Sequence, residues 1–188
     1  MTVHPASAGQ RIAAFGWDYL LMAAYIVLLS AVSSLVWLRG FDGAAPSPGA
    51  PPWRYDLLAF MTLVLPVILY FGISEGSMGQ ATWGKRRMGL RVVGQDGARL
   101  GTARSLLRSS LKFLPWQISH TCLFHVPGWP MNPESPPTWV VFGFGAALGL
   151  VSTYVGALVV SREGRTLYDR IAGSWVVRQQ PATSVAPV

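Results

Sequence analysis

Apolar residues fall into three long runs and one short one, separated by polar and proline-rich stretches. Ile12 to Leu38 is 27 residues long with Asp18 as its one charged side chain, and about 20 apolar residues suffice to cross the hydrocarbon core of a bilayer. Its twelve Leu, Ile, Val and Phe residues, at roughly −0.3 to −0.6 kcal/mol each, outweigh one Asp at about +2.5 to +3.5 kcal/mol on the insertion scale. Leu57 to Ile73 supplies 17 uncharged residues with Pro66 as a candidate kink, and Trp139 to Val160 supplies 22. Phe113 to Val126 has only 14 residues and contains Pro115 and His120, so hydropathy alone leaves it between a span and an interfacial segment.

The distribution of cations decides between these. Residues 75 to 112 carry Lys85, Arg86, Arg87, Arg91, Arg99, Arg104, Arg108 and Lys112, whereas residues 113 to 138 carry no Lys or Arg. Arg162, Arg165, Arg170 and Arg178 follow the last run. Cytoplasmic segments collect Lys and Arg, so both basic stretches belong inside. They are then joined by two crossings, with Arg108 and Lys112 snorkelling from a tilted third helix. The expected fold is an all-α membrane protein: a four-helix transmembrane bundle with spans near 12–38, 57–74, 105–126 and 139–160. A cytoplasmic loop covers 75–104, and both termini are cytoplasmic in a multi-pass plasma-membrane protein.

Composition agrees: of 188 residues 51% are hydrophobic and 12% charged, with eight Trp, which suits one membrane domain rather than a soluble one. The net charge of +7 therefore reads as topology and lipid attraction, with no nucleic-acid partner expected. Trp37, Trp53, Trp116, Trp129 and Trp139 fall at span ends, where indoles favour the interface. DGAAPSPGAPPW (42–53) and PGWPMNPESPPTW (127–139) read as external loops. Residues 1–10 and 179–188 read as disordered tails flanking a membrane domain over 11–178. No cleavable signal is expected before Ile12.

LRVVGQDGARLG (90–101) sets Asp96-Gly97 between two short apolar segments, a local hairpin signal, so a short cytoplasmic β-hairpin is expected there. Before it, Lys85, Arg86, Arg87 and Arg91 form a basic segment suited to anionic lipid headgroups, at about 1 kcal/mol per residue near the surface. Topological anchoring explains the same residues without a ligand.

Arg11 and Asp18 in the first span, TWGKRRMGLRVVGQDG at 82–97, Ala103 to Arg108, and REGRTLYDRIAGSWVV at 162–177 resemble the RDD family of small integral membrane proteins. The resemblance runs from about residue 9 to residue 178. It implies that the family's defining Arg and two Asp are Arg11, Asp18 and Asp169, and it implies transport or cation exchange, which has been proposed for some members. The sequence departs at Tyr168, where many members have His, at Ser174, where Thr is common, and in its long Pro-rich loops.

Seven helical residues make nearly two turns, so Arg11 and Asp18 share a face roughly 10 Å apart along the axis, too far to pair easily. Asp169, in a stretch with Leu167, Ile171 and Trp175 at four-residue steps, is placed to reach Arg11, leaving Asp18 deeper. One Arg and two carboxylates sum to −1, which a proton or monovalent cation would neutralise. Alternatively, Arg11 and Asp169 clamp the C-terminal segment while neighbouring helices satisfy Asp18 by hydrogen bonds.

Other motifs carry less. Gly79 to Lys85 matches GxxxxGK, but Arg86 stands where a phosphate loop needs Ser or Thr and an apolar span replaces the strand. Cys122 is the single cysteine, and His120 and His125 have no ligating neighbours beyond Glu134. No cofactor or metal site is expected, and with no nucleophile, base and orienting group at workable spacing, neither is catalysis. Gly145, Gly149, Thr153 and Ala157, four residues apart, form a small-residue stripe for close helix packing within the chain or in a homo-oligomer. The expected function is that of a non-enzymatic membrane scaffold or accessory protein; the alternative is antiporter-like cation or proton transport through Asp18 with Arg11 and Asp169.

Overall fold

The computed structural model describes residues 5–38, 50–129, 132–161 and 163–179. Its elements in chain order are α1 (Ala8–Leu38), α2 (Pro52–Ala59), a π-helical turn (Phe60–Val64), α3 (Leu65–Gly76), α4 (Trp83–Arg87) and β1 (Leu90–Gly94). Then follow α5 (Thr102–Phe124), α6 (Thr138–Val160), α7 (Leu167–Ile171) and β2 (Ser174–Arg178). The protein is mostly helical with one small two-stranded sheet.

Among the described residues, three helices are long and apolar enough to cross a membrane: Ala8–Val36, the continuous Pro52–Gly76 stretch and Thr138–Val160. Their outer faces are bare of protein, with Val27 69% and Phe142 74% exposed, as expected for surfaces solvated by lipid. α5 is not among the three, because Arg104, Arg108 and Lys112 lie in its first half. It packs instead between α3 and α6.

Both helix-interior prolines are accommodated in the same way. Pro66 has no N–H for the carbonyl of Thr62, four residues back, and the Tyr25 hydroxyl of α1 donates to that oxygen at 2.6 Å. The π-helical turn ends at Val64, two residues before Pro66. Pro115 likewise frees the Leu111 carbonyl, and the Tyr154 hydroxyl of α6 donates to it at 2.8 Å. Each tyrosine thereby satisfies a carbonyl that a membrane interior would leave unpaired, and binds two helices together.

The sheet corrects the sequence reading. The Asp96-Gly97 turn exists, with Gly94 N–H donating to Ala98 O at 2.8 Å and a single bridge between Val93 and Arg99. The main partner of β1, however, is β2 from the other end of the chain, antiparallel, with Val92 opposite Val176. A local hairpin buries little, whereas this pairing covers Val92 and Val176 in a cluster with Ala6, Ala14, Leu90 and Leu100. Residues 5–10, expected to be disordered, are ordered: Ala6 N–H donates to Val176 O at 2.9 Å and α1 begins at Ala8. Of the expected C-terminal tail, Gln179 donates to Gly89 O at 2.7 Å and residues 180–188 lie outside the described residues, as does most of the loop at 42–53.

An internal duplication underlies this pairing. TWGKRRMGLRVVG (82–94) and TLYDRIAGSWVVR (166–178) are offset by 84 residues and identical at five of thirteen positions. Each contains an N-cap threonine, a five-residue helix, a glycine in the left-handed region (Gly89 φ 62°, Gly173 φ 59°) and a five-residue strand. The preceding helices end at Gly76 and Val160, capped by Ser77 and Ser161, again 84 apart. Val92 and Val176 are equivalent and also paired, so the pseudo-two-fold relating the halves passes through the centre of the sheet.

Candidate functional site

Asp18 points from α1 at the start of α4. Thr82 is the N-cap of that helix, its side chain accepting the Lys85 N–H, so the first turn presents N–H groups toward an acceptor. Asp18 is fully buried. Its Oδ1 accepts the Gly84 N–H at 2.8 Å and the Tyr70 hydroxyl at 2.9 Å, and its Oδ2 accepts the Thr82 hydroxyl at 2.6 Å. Three neutral donors hold the carboxylate, and among the described residues no cation is bonded to it.

Asp169 lies at the start of α7, the counterpart of α4, and is held by cations instead of neutral donors alone. It is the N3 residue of α7 in a reciprocal capping box with Thr166, the T-x-x-D form of a familiar signal. Arg11 Nη2 lies 2.6 Å from Oδ2, and Arg108 Nε donates to Oδ1 at 2.8 Å. Burial pushes this carboxyl up, but the Arg108 and Arg11 guanidiniums outweigh it and hold it well below the usual carboxylate range. Arg11 also donates to the Gly164 carbonyl, fixing the turn that leads into α7. The pair anticipated between Arg11 and Asp169 is thus present, and Asp18 lies apart from it.

Four more residues complete the cluster and are not singled out by the sequence pattern: Glu75, Arg108, Lys112 and the buried Thr82. Arg108, 1% exposed, bridges Asp169 and Glu75. Glu75 binds Lys85 Nζ at 2.7 Å through its other oxygen. Lys112 Nζ sits 3.7 Å from the Phe71 ring centroid and 4.4 Å from that of Phe15, and among the described residues no carboxylate lies within ion-pair distance of it. Counted at formal charge, the cluster holds four basic groups (Arg11, Lys85, Arg108, Lys112) and three acidic ones (Asp18, Glu75, Asp169). Their sum is +1, reversing the −1 of the three residues legible in the sequence. In sequence, a Glu at the end of an apolar run and cations in the first half of a helix look like ordinary boundaries.

Two further expectations are corrected. Lys85 is not a surface residue, since the first turn of α4 turns it inward to Glu75; Arg86 and Arg87 are exposed and Arg91 is half-buried on β1. Arg87 stacks on Trp17 and Trp83 at 5.0 and 4.7 Å. The stripe of Gly145, Gly149, Thr153 and Ala157 does not pack within the chain: both its glycines have open space around them. α6 buries Val140, Ala147 and Tyr154 instead, and its close approach is at Gly143, where an added Cβ would meet the Cys122 sulfur.

The two partners of the Arg11–Asp169 pair are unequal, because Arg108 still holds Asp169 when Arg11 is removed. Arg11→Ala is expected to lower stability by about 1.5–3 kcal/mol, the range for hydrogen bonds to charged groups. In an Asp169→Ala background the same change is expected to cost much less. Thermal unfolding of the four proteins in detergent measures the cycle; additive losses would show that the pair does not act as a unit.

A model of the RDD family matches residues 5–173 of the chain. No curated protein and no solved structure matches it.

Proposed function

The chain belongs to the RDD family, and we propose that this membrane protein is a non-enzymatic scaffold or accessory protein of the plasma membrane, with four crossings and both termini cytoplasmic. The carrying observation is that buried Asp18 accepts hydrogen bonds from Tyr70, Thr82 and Gly84. A carboxylate with three of its roughly four acceptor sites committed to holding α4 and α3 against α1 acts as a structural pin rather than a carrier site. The duplicated helix–strand units then form a rigid cytoplasmic platform, with exposed Arg86 and Arg87 beside it for a partner or for acidic headgroups.

The fourth crossing is supported by the direction of the charges on α5. Arg108 turns inward to Glu75 and Asp169, so this cation in the helix's first half need not meet lipid. A cysteine placed at Ser135, in a Cys122→Ser background, is expected to react with an impermeant maleimide on intact cells. Absence of labelling would remove the crossing by α5.

The competing reading is cation or proton transport through Asp18. Asp18→Asn keeps the volume but puts an NH₂ group against a hydroxyl or N–H donor, a loss of about 1–3 kcal/mol for an unsatisfied buried group. Under the scaffold reading, melting temperature falls and reconstituted vesicles show no Asp18-dependent cation or proton flux. Flux in the wild type that Asp18→Asn abolishes would replace the scaffold with a transporter.

A further inference from the structure

A cleft of about 490 Å³ lies between α1, α5 and α6, helices of which the first and last do not pack along one another. Its volume is in the range of roughly 300–1,000 Å³ typical of small-ligand sites. At the end nearer the sheet it is lined by Arg11, Lys85, Arg108 and Lys112; toward the other end its walls are Phe113, Trp116, Val151 and Val155. No carboxylate is among its lining residues. Ile12, Val151 and Val155 are 55%, 45% and 53% exposed at its rim, on faces of two helices that qualify as membrane spans.

We propose that this cleft takes the headgroup phosphate of an anionic phospholipid from the surrounding bilayer, with Lys112 as the cation that meets it and an acyl chain lying along Val151 and Val155. Three of the four lining cations already bind carboxylates: Arg11 to Asp169, Arg108 to Asp169 and Glu75, and Lys85 to Glu75. Among the described residues Lys112 is in no ion pair, and its Nζ lies over the Phe15, Phe71 and Phe113 rings. At formal charge the cluster sums to +1, so in a low-dielectric site an anion beside Lys112 favours its ammonium form and completes the balance, whereas an added cation opposes it. The apolar continuation toward the bilayer distinguishes a tethered phosphate from a soluble one, and basic pockets between membrane helices on the cytoplasmic side suit such headgroups. This site is separate from Asp18 and does not depend on the scaffold reading.

Native mass spectrometry of the full chain, released from mixed phosphatidylglycerol and phosphatidylcholine, reads the site directly. The wild type is expected to retain phosphatidylglycerol over phosphatidylcholine by about tenfold, a difference of the size one or two headgroup cations supply. Lys112→Met should reduce that preference to near unity. Val155→Trp fills the apolar wall from an exposed position, so it tests the same site where Lys112→Met fails to fold, and it should lower phosphatidylglycerol retention similarly. Arg99→Gln, on the exposed turn after β1 and outside the cleft, should leave it unchanged. Equal retention of the two lipids by the wild type overturns the proposal, as does undiminished preference in either cleft variant that elutes like the wild type. Displacement of the lipid by glycerol 3-phosphate as readily as by phosphatidylglycerol would assign the site to a soluble phosphate and overturn the lipid.

Discussion

Arg108→Met is expected to leave little or no folded protein in detergent. Arg108 is buried and bridges Glu75 and Asp169, both with no exposed surface, and its guanidinium also lies 5.2 Å from the Tyr168 ring centroid. Methionine preserves much of the volume but leaves each carboxylate with one cation, Lys85 or Arg11. Breaking a buried ionic network from one side costs about 3–5 kcal/mol, a large share of the roughly 5–15 kcal/mol that holds a domain together. Arg108→Lys should recover only part, because an ammonium cannot present a planar fork to two carboxylates at once. Adding Glu75→Gln to Arg108→Met should restore some stability by removing one uncompensated charge. The monodisperse fraction on gel filtration and the melting temperature measure this series; a melting temperature for Arg108→Met near that of the wild type would show that the bridge does not hold the fold.

Gly84→Ala is expected to have the next largest effect, although it adds one methyl group. A Cβ at Gly84 would overlap the Ala14 carbonyl oxygen and lie 2.9 Å from both the Asp18 carboxyl carbon and the Asp18 backbone nitrogen. Two of these are backbone atoms of α1, which cannot step aside, so α4 must lift. Lifting α4 pulls the Gly84 N–H and the Thr82 hydroxyl away from Asp18. Overpacking costs about 1–3 kcal/mol and each hydrogen bond to a charged group about 1.5–3 kcal/mol, so a loss of about 3 kcal/mol or more is expected. Gly89→Ala serves as the contrast: nothing lies within 4 Å of its Cβ position, and its cost is that of a left-handed φ alone, about 1–2 kcal/mol. Equal melting temperatures for the two variants would show that the contact of α4 with α1 is not tight.

Much of this protein was legible in its sequence because the relevant physics is local or one-dimensional. A bilayer requires about 20 apolar residues per crossing, and three segments meet that requirement without reference to any neighbour. Asp18 was conspicuous because a carboxylate in such a segment is costly unless satisfied. Arg11, Asp18 and Asp169, with the motifs around Gly84 and Arg170, carried the family resemblance. The recurrence of Thr, Arg, Gly and Val-Val at an offset of 84 residues was also present in the sequence, short enough to escape notice between long apolar runs.

Only the tertiary structure decided what those residues meet. Asp96-Gly97 makes its turn, yet β1 gains more by pairing with a strand 84 residues away, because that sheet closes over Ala6, Ala14 and Leu100. Among three adjacent cations, Lys85 alone turns inward, since a helix starting at Thr82 aims it at Glu75. Gly143 rather than Gly145 or Gly149 admits a neighbour, because α6 is rotated to bury Tyr154 against the carbonyl that Pro115 frees. The sign of the charge cluster was decided in the same way. Sequence singles out Arg11, Asp18 and Asp169, which sum to −1, whereas Glu75, Lys85, Arg108 and Lys112 join from α3, α4 and α5 and bring the formal total to +1. Hydropathy and charge act along the chain, so sequence determines which segments enter the membrane. Pairing, capping and charge balance depend on distances across it, so only packing fixes them.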